Sequence, residues 1–585
     1  MYVDRKQIRY GGKEMYNSRP KQTFSFDNGV FNSPEKIIEQ LNSIDFDVIL
    51  FEVYPGVDLE VLYETVIRKI HVAHTVSFDD CYKEPSELTS LLAPYLTEDD
   101  VFGKFSFHEP SELVVLEKIE SLKKQVEEKR KSGKVLLFGT GVTQFFENAL
   151  TIYVTITRRE VEERLDKGMT NWRADNSAEH INRKIKRAYY FDWPFADGIK
   201  EICLPTADYI IDMTSPAARM VSNHVYHEIL SVTAQRPFRL VPYFASGVWG
   251  GHWIQENFGI GKEEVNIAWG FDGVPEENSL LFELNQTLFE FPAQDLIYLY
   301  PKESLGEKVL GRYGKEFPIR FDYLDTIGGQ NLSLQVHPET DYAYKKFNAK
   351  YTQDESYYIM KSTDEAVVYL GVKDNVDAAE LFEALKKAKE TNQFSDEKFI
   401  SSIKVKEHDH ILIPAGTIHS SGTGCLVLEI SATPNRFTFK LWDWDRVDLD
   451  GKPRPIHLEH GEKNINMAMN ASYTKQHLYN AVETVKNSDG HLVERTGLHI
   501  SEPIETIRDS FSVKTTHYTN QNVQMICLVE GEEIIVETYR NQQKERLVIH
   551  YGETFIIPAS VQMYTMEPAG NSIGKTVKTM KAFIR

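Results

Sequence analysis

The segment Gln335-Val336-His337-Pro338, a carboxylate at Glu355 and the turn Pro414-Ala415-Gly416-Thr417-Ile418-His419 carry side chains of the types that bind divalent ions. Two imidazoles, one carboxylate and an amide form a nitrogen-and-oxygen set able to hold a catalytic zinc and leave one position open for water or a substrate oxygen. An ion held there would act as a Lewis acid on a carbonyl or hydroxyl oxygen, or bring the pKa of bound water to roughly 7. Alternate residues of a strand share a face, so Gln335 and His337 project into one pocket while Val336 packs behind. Glu355 opens a strand, and His419 follows a turn built by Pro414 and Gly416, which places both at element ends, where sites are assembled. The competing reading is a packed or surface histidine, since 18 His in the chain make chance pairs easy.

The elements that must position these residues change character near Arg236. Before it, apolar strand-like runs (46–51 and 135–138) alternate with helical patterns at 57–70 and 111–131, which predicts a parallel sheet covered by helices. After it, short strands punctuated by Gly, Pro and Asn predict a β-sandwich or barrel, with helices at 338–346 and 378–390. The runs 525–531 and 551–559 echo 411–416, but Ser560-Val561-Gln562 follows where the first copy continues to His419. The expected organisation is therefore an α/β domain over 1–235, a metal-binding β domain with helical insertions over 236–470, and a second β-roll without metal over 471–585.

A chain of 585 residues exceeds the roughly 250–300 residues of a single core. Its 86 acidic against 66 basic side chains, a net charge of −20, disfavour a phosphate-backbone partner, so no nucleic acid is expected. Four widely spaced Cys without a CxxC pair argue against a disulfide framework and fit a reducing cytoplasm. The polar stretch Met1–Tyr10 is unlike a signal peptide, and no segment reaches the roughly 20 apolar residues of a membrane span.

The runs Gln330 to Glu339, Glu355-Ser356-Tyr357-Tyr358-Ile359, Ile413 to His419 and Leu441-Trp442-Asp443-Trp444-Asp445-Arg446 occur in an order that resembles the type I zinc-dependent (cupin) mannose-6-phosphate isomerase family. Trp249-Gly250-Gly251 matches the family's opening, so the resemblance spans roughly 236–585. It implies a tandem cupin, one zinc per chain held by Gln335, His337, Glu355 and His419, and aldose–ketose isomerisation through a cis-enediol. It further implies Glu429 and Lys440 as catalytic residues, and Trp249, Arg436 and Lys440 as substrate-binding residues. Where many bacterial relatives carry cations, this chain has Asp322 and Gln353, and Lys440 stands where they carry Arg. A phosphate dianion is held by charge-assisted bonds, and Lys lacks the bidentate fork of Arg, so phosphate recognition loses support at these positions.

In the N-terminal half, Phe51 to Leu59, Ser77 to Tyr82, Val135 to Gly139 and Ile152 to Thr155 follow an order similar to the uridine kinase-like P-loop kinases, whose lid would be the Arg-rich stretch 158–173. The Gly-Lys-Ser/Thr ending that cradles phosphates is missing, and Asp58 stands in its place. This predicts a degenerate kinase-like domain serving docking, regulation or homo-oligomer formation, with Arg158, Arg159, Arg164, Arg173, Arg183 and Arg187 able to bind an anion but read in preference as a solvated face. Three readings follow for the whole chain: a zinc isomerase of a sugar or sugar phosphate with a degenerate partner domain, a carbohydrate-binding protein without turnover, and a bifunctional kinase-isomerase.

Overall fold

The computed structural model describes residues 16–585 except 392, 433–435, 448–450, 452–453, 498 and 500–502; the polar stretch at 1–10 lies outside the described residues. The chain is multidomain and rich in β-sheet.

Seven strands of the first half form one sheet in the order Val30–Phe31, Arg219–Ser222, Tyr209–Asp212, Leu150–Thr155, Val48–Val53, Val135–Gly139, His74–Ser77. The last five are mutually parallel. Strand Val48–Val53 shows why: Ile49 and Phe51 enter the core on one face and Leu50 enters the core on the other, the continuous apolar pattern of a strand covered on both sides. The expected helix over 57–70 is shorter, Leu59–Thr65 followed by a 3-10 turn Ile67–Lys69. The expected helix over 111–131 is two helices, Pro110–Leu113 and Leu116–Lys129. They part because Val114 bridges to Tyr82 and the Val115 N–H donates to the Cys81 carbonyl at 2.8 Å.

The turn after Val48–Val53 is filled by protein. A Cβ at Gly56 (φ +99°) would lie 2.6 Å from Val161, and Arg164 donates to the Gly56 carbonyl at 3.1 Å. Asp58 accepts from the Val61 N–H at 3.0 Å and caps helix Leu59–Thr65, a helix-starting role for the carboxylate.

The second half contains two pairs of antiparallel sheets. In the first pair, a six-stranded sheet (His410–Ile413, Glu355–Ser362, Cys425–Ala432, Ile319–Asp325, Trp269–Phe271, Tyr243–Ala245) packs against a five-stranded one (Ile400–Lys404, Val367–Val372, His419–Ser421, Leu334–Val336, Phe439–Trp442). Tyr357, Ile359 and Ile411 of one sheet and Val368 and Leu370 of the other share a core. The second pair has six and four strands and lies within 483–584. Helices Thr340–Phe347 and Ala378–Thr391 interrupt the strands of the first pair.

The two halves interlock. Strand Lys21–Phe24 pairs in parallel with Ser279–Leu284, the Tyr16 hydroxyl donates to Asp272 at 2.8 Å, and the Tyr16 ring stacks on Phe258 at 4.5 Å. The Arg-rich stretch is not a solvated face throughout. Arg158 pairs with Asp197 at 3.3 Å and Arg187 with Asp192 at 3.4 Å, both largely buried, while Arg159 and Arg183 stay half exposed. Buried carboxylates and carbonyls offer these guanidiniums partners that helical spacing alone does not reveal.

Candidate metal centre

Two rows of side chains face each other across the first sheet pair. Cross-strand register places Asp322 beside Glu429 and Glu429 beside Tyr357 on one sheet, and Leu370, His419, Gln335 and Lys440 in one line on the other. Glu355, two residues before Tyr357, shares its face.

The two histidines are oriented by backbone. Carbonyls only accept, so His337 Nδ1 donates to the Phe437 carbonyl at 3.1 Å and His419 Nδ1 donates to the Thr417 carbonyl at 2.9 Å. In a neutral ring this leaves each Nε2 a bare lone pair. His337 Nε2 lies 3.1 Å from Glu355 Oε2 and His419 Nε2 lies 2.9 Å from Glu355 Oε1. His337 Nε2 and Glu355 Oε1 are buried and make no hydrogen bond of good geometry. Two lone pairs and a carboxylate at this range repel unless a cation or protons stand among them. The Gln335 amide lies 3.1 Å from His419 Nε2, and half a turn about its last bond would present its oxygen instead. His337, Glu355 and His419 are a buried group that could hold a metal ion, and carbonyl-anchored imidazoles are the usual outer support of such ligands.

Acidic groups continue outward from the cluster. Gln353 donates to Glu355 at 2.9 Å and to Glu429 at 3.3 Å. Burial, then the charges of Glu355 and Asp322, hold the Glu429 carboxyl well above the ordinary range. Burial also pushes Asp322 up to about 6, although Arg320 opposes it; Arg320 donates to Asp322 at 3.1 Å and to Glu277 at 3.3 Å. Asp322 is thus already engaged by its own strand's cation.

A cavity of about 1140 Å³ opens from this acidic row, bordered by Gln335, Gln353, Glu429, Arg436, Lys440 and Trp249. Gln335, His337, Glu355 and His419 come together at the cluster, and Glu429, Lys440, Arg436 and Trp249 border the cavity that adjoins it, whereas Asp58, Arg164, Arg173, Arg183 and Arg187 are not among the cavity's lining residues. Lys440 sits on the outermost strand of its sheet. Trp249 is fully buried, edge-on to Trp269 at 4.7 Å between ring centres. Sequence reasoning did not find the Gln353 bridge to Glu429, which joins distant segments, nor the Arg320–Asp322 pair, although i, i+2 spacing on one strand puts both on one face. It also did not find that Arg158, Arg159, Glu162 and Tyr189 of the first half border the same cavity.

The four cysteines are buried and unpaired, and among the described residues no helix is long and apolar enough to cross a membrane.

Comparison with known proteins places this geometry in context. The sequence profile described as "Domain of unknown function (DUF8485)" matches residues 33–235. YvyI of Bacillus subtilis (strain 168), which carries a mannose-6-phosphate isomerase name, is 25% identical over 344 residues, 57% of this chain and 96% of that protein. Mannose-6-phosphate isomerase ManA of the same organism is 27% identical over 224 residues, 38% of this chain and 66% of that protein. The crystal structure of the mannose 6-phosphate isomerase from Bacillus subtilis aligns with a TM-score of 0.48 at 20% identity, covering 60% of this chain and 100% of that one. The relatives in sequence thus carry the names of sugar isomerases.

Proposed function

We propose that this chain is a zinc-dependent aldose–ketose isomerase built on a tandem cupin, with mannose 6-phosphate and fructose 6-phosphate as its default pair. The observation that carries the reading is the convergence of two backbone-oriented Nε2 lone pairs on the Glu355 carboxylate, beside a carboxyl at Glu429 that burial keeps protonatable. The similarity to named isomerases supports it.

Gln335, His337, Glu355 and His419 would hold the ion, a nitrogen-and-oxygen set suited to zinc. When bound, the ion supplies Lewis-acid polarisation of the sugar's carbonyl and neighbouring hydroxyl oxygens. Glu429 takes the proton from C2 of the aldose and returns it to C1. A carboxyl whose pKa is lifted toward the working pH is both a competent base when ionised and a competent acid when protonated. Lys440, beside Gln335 in the opposing row, would hold the oxygen that gains charge in the enediol.

Turnover of mannose 6-phosphate, free mannose and fructose, followed by a coupled assay with and without chelator, tests the reading. Isomerisation that chelator abolishes and zinc restores is expected. Absence of turnover of every sugar at every metal loading would contradict it and leave sugar binding without catalysis as the surviving alternative.

A further inference from the structure

The side of the cavity contributed by the first half of the chain is built from aromatic rings and guanidiniums. Arg158 lies flat over Trp193, 3.9 Å from the ring centre, and also pairs with Asp197. Arg159 lies over Tyr243 at 4.7 Å, and Arg436 lies over Tyr189 at 5.0 Å. The last two contacts cross the junction in opposite senses: a cation of helix Arg158–Asp166 rests on a ring of strand Tyr243–Ala245, and a cation from beside strand Phe439–Trp442 rests on a ring of the first half. All three guanidiniums border the cavity that reaches Glu429.

A stacked guanidinium still offers the N–H edge of its plane, the fork that matches an oxyanion. Carboxylates share this wall: Arg158 pairs with Asp197 at 3.3 Å and Arg159 with Glu163 at 3.1 Å, each guanidinium keeping further N–H groups for a second partner. Burial pushes Glu162 to about 7 and Glu276 to about 8, so near pH 7 about half of the first and most of the second is protonated, while Glu277 and Asp322 are taken up by Arg320. At positions 322 and 353, nearer the metal cluster, the side chains are an acid and an amide. The cavity volume of about 1140 Å³ slightly exceeds the roughly 300–1,000 Å³ of ordinary small-molecule sites, which leaves room for a ligand reaching from the cluster to this wall.

We propose that the first half of the chain completes the substrate site: Arg159 and Arg158, together with Arg436, receive the anionic group of a sugar phosphate whose reducing end lies at the metal cluster. The assignment rests on the isomerase reading and adds to it a substrate class and the part of the chain that selects it. Arg159 is the residue to change, because its side chain is 42% exposed and its loss leaves the packed core intact.

The experiment measures KM and kcat for mannose 6-phosphate and for free mannose with wild type, Arg159→Ala, Arg159→Lys and the control Arg183→Ala, whose guanidinium pairs with exposed Asp100 outside this wall. Arg159→Ala is expected to raise KM for the phosphate at least tenfold and that for mannose less than twofold, with bound metal unchanged and Arg159→Lys intermediate. Equal effects on both sugars, no effect, or an equal effect of Arg183→Ala would overturn the proposal. If wild type turns over neither sugar, the isomerase reading fails by itself, and calorimetric titration of mannose 6-phosphate into the zinc-loaded chain decides the wall separately. At least tenfold weaker binding to Arg159→Ala supports it; unchanged affinity, or no binding by wild type, overturns it.

Discussion

Among the described residues, two buried His-carboxylate-His groups occur, one in each pair of antiparallel sheets: His337–Glu355–His419 and His491–Asp509–His517. Their residue types match, but their surroundings differ. In the second, Lys581 lies 3.3 Å from Asp509 Oδ2 and Lys486 lies 3.3 Å from His491 Nδ1. His491 Nε2 contacts Asp509 Oδ1 at 3.1 Å, and His517 is 2.7 Å from the Thr515 hydroxyl and stacks on Tyr564. The fold there carries its own cation. In the first, Glu355 is contacted by His337, His419 and Gln353, none of them an obligate cation. A carboxylate buried with two imidazoles needs positive charge from somewhere, and the difference lies in whether a lysine or an external ion supplies it. Both groups have the residue types to hold an ion; Lys581 beside Asp509 is the difference on which the expectation of metal in the first β-roll alone can be tested.

Substitutions at the two clusters should separate them. His337→Ala is expected to reduce isomerase kcat/KM by about a thousandfold or more, since an ion's several kcal/mol of charge stabilisation is lost at 1.36 kcal/mol per tenfold. His517→Ala should leave kcat/KM within about threefold when both are assayed at equal folded fraction. Glu429→Gln should cost roughly 10²–10⁴ in kcat, the range of general acid–base catalysis, with metal content unchanged; retained activity would remove Glu429 from the proton shuttle.

Lys581→Met tests the other side of the comparison. Stranding buried Asp509 should destabilise by about 3 kcal/mol in urea unfolding, the low end for a broken buried pair. A change below about 1 kcal/mol would mean that Lys581 is not the cation the second cluster needs.

The smallest effect is in pH dependence. Burial, then Lys581, pushes His517 down to about 3, whereas an unfolded imidazole titrates near 6.5. The unfolded chain therefore binds this proton first as pH falls: the stabilisation is complete above about 6.5 and is lost progressively toward about 3. His410, pushed down to about 4 by burial, adds to the same trend. His517→Phe should reduce the slope of stability against pH between 6 and 4 by up to about 1.4 kcal/mol per pH unit, and an unchanged slope would show that His517 does not contribute.

The residues of the candidate cluster could be picked out in the sequence because part of its geometry is local in kind. Strand alternation sends Gln335 and His337 to one face, and Pro414 and Gly416 shape the turn before His419. The parallel sheet was legible for a similar reason, since both faces of Val48–Val53 are apolar. What was not legible depends on docking between distant segments. Strand Lys21–Phe24 pairs with Ser279–Leu284 across the two halves, and nothing in its composition points to that partner. Arg158 and Glu162 are spaced as an i,i+4 pair, yet Arg158 pairs with Asp197 and Glu162 borders the cavity. A charged helix reads as solvated until the surface that covers it is known.

Metal content per chain, measured by mass spectrometry on wild type, His337→Ala and His517→Ala after equilibration with zinc and removal of free ion, tests the central claim most directly. The account predicts one tightly held ion in wild type, its loss in His337→Ala and its retention in His517→Ala. No bound ion in wild type, or an ion that survives His337→Ala and disappears with His517→Ala, would contradict it.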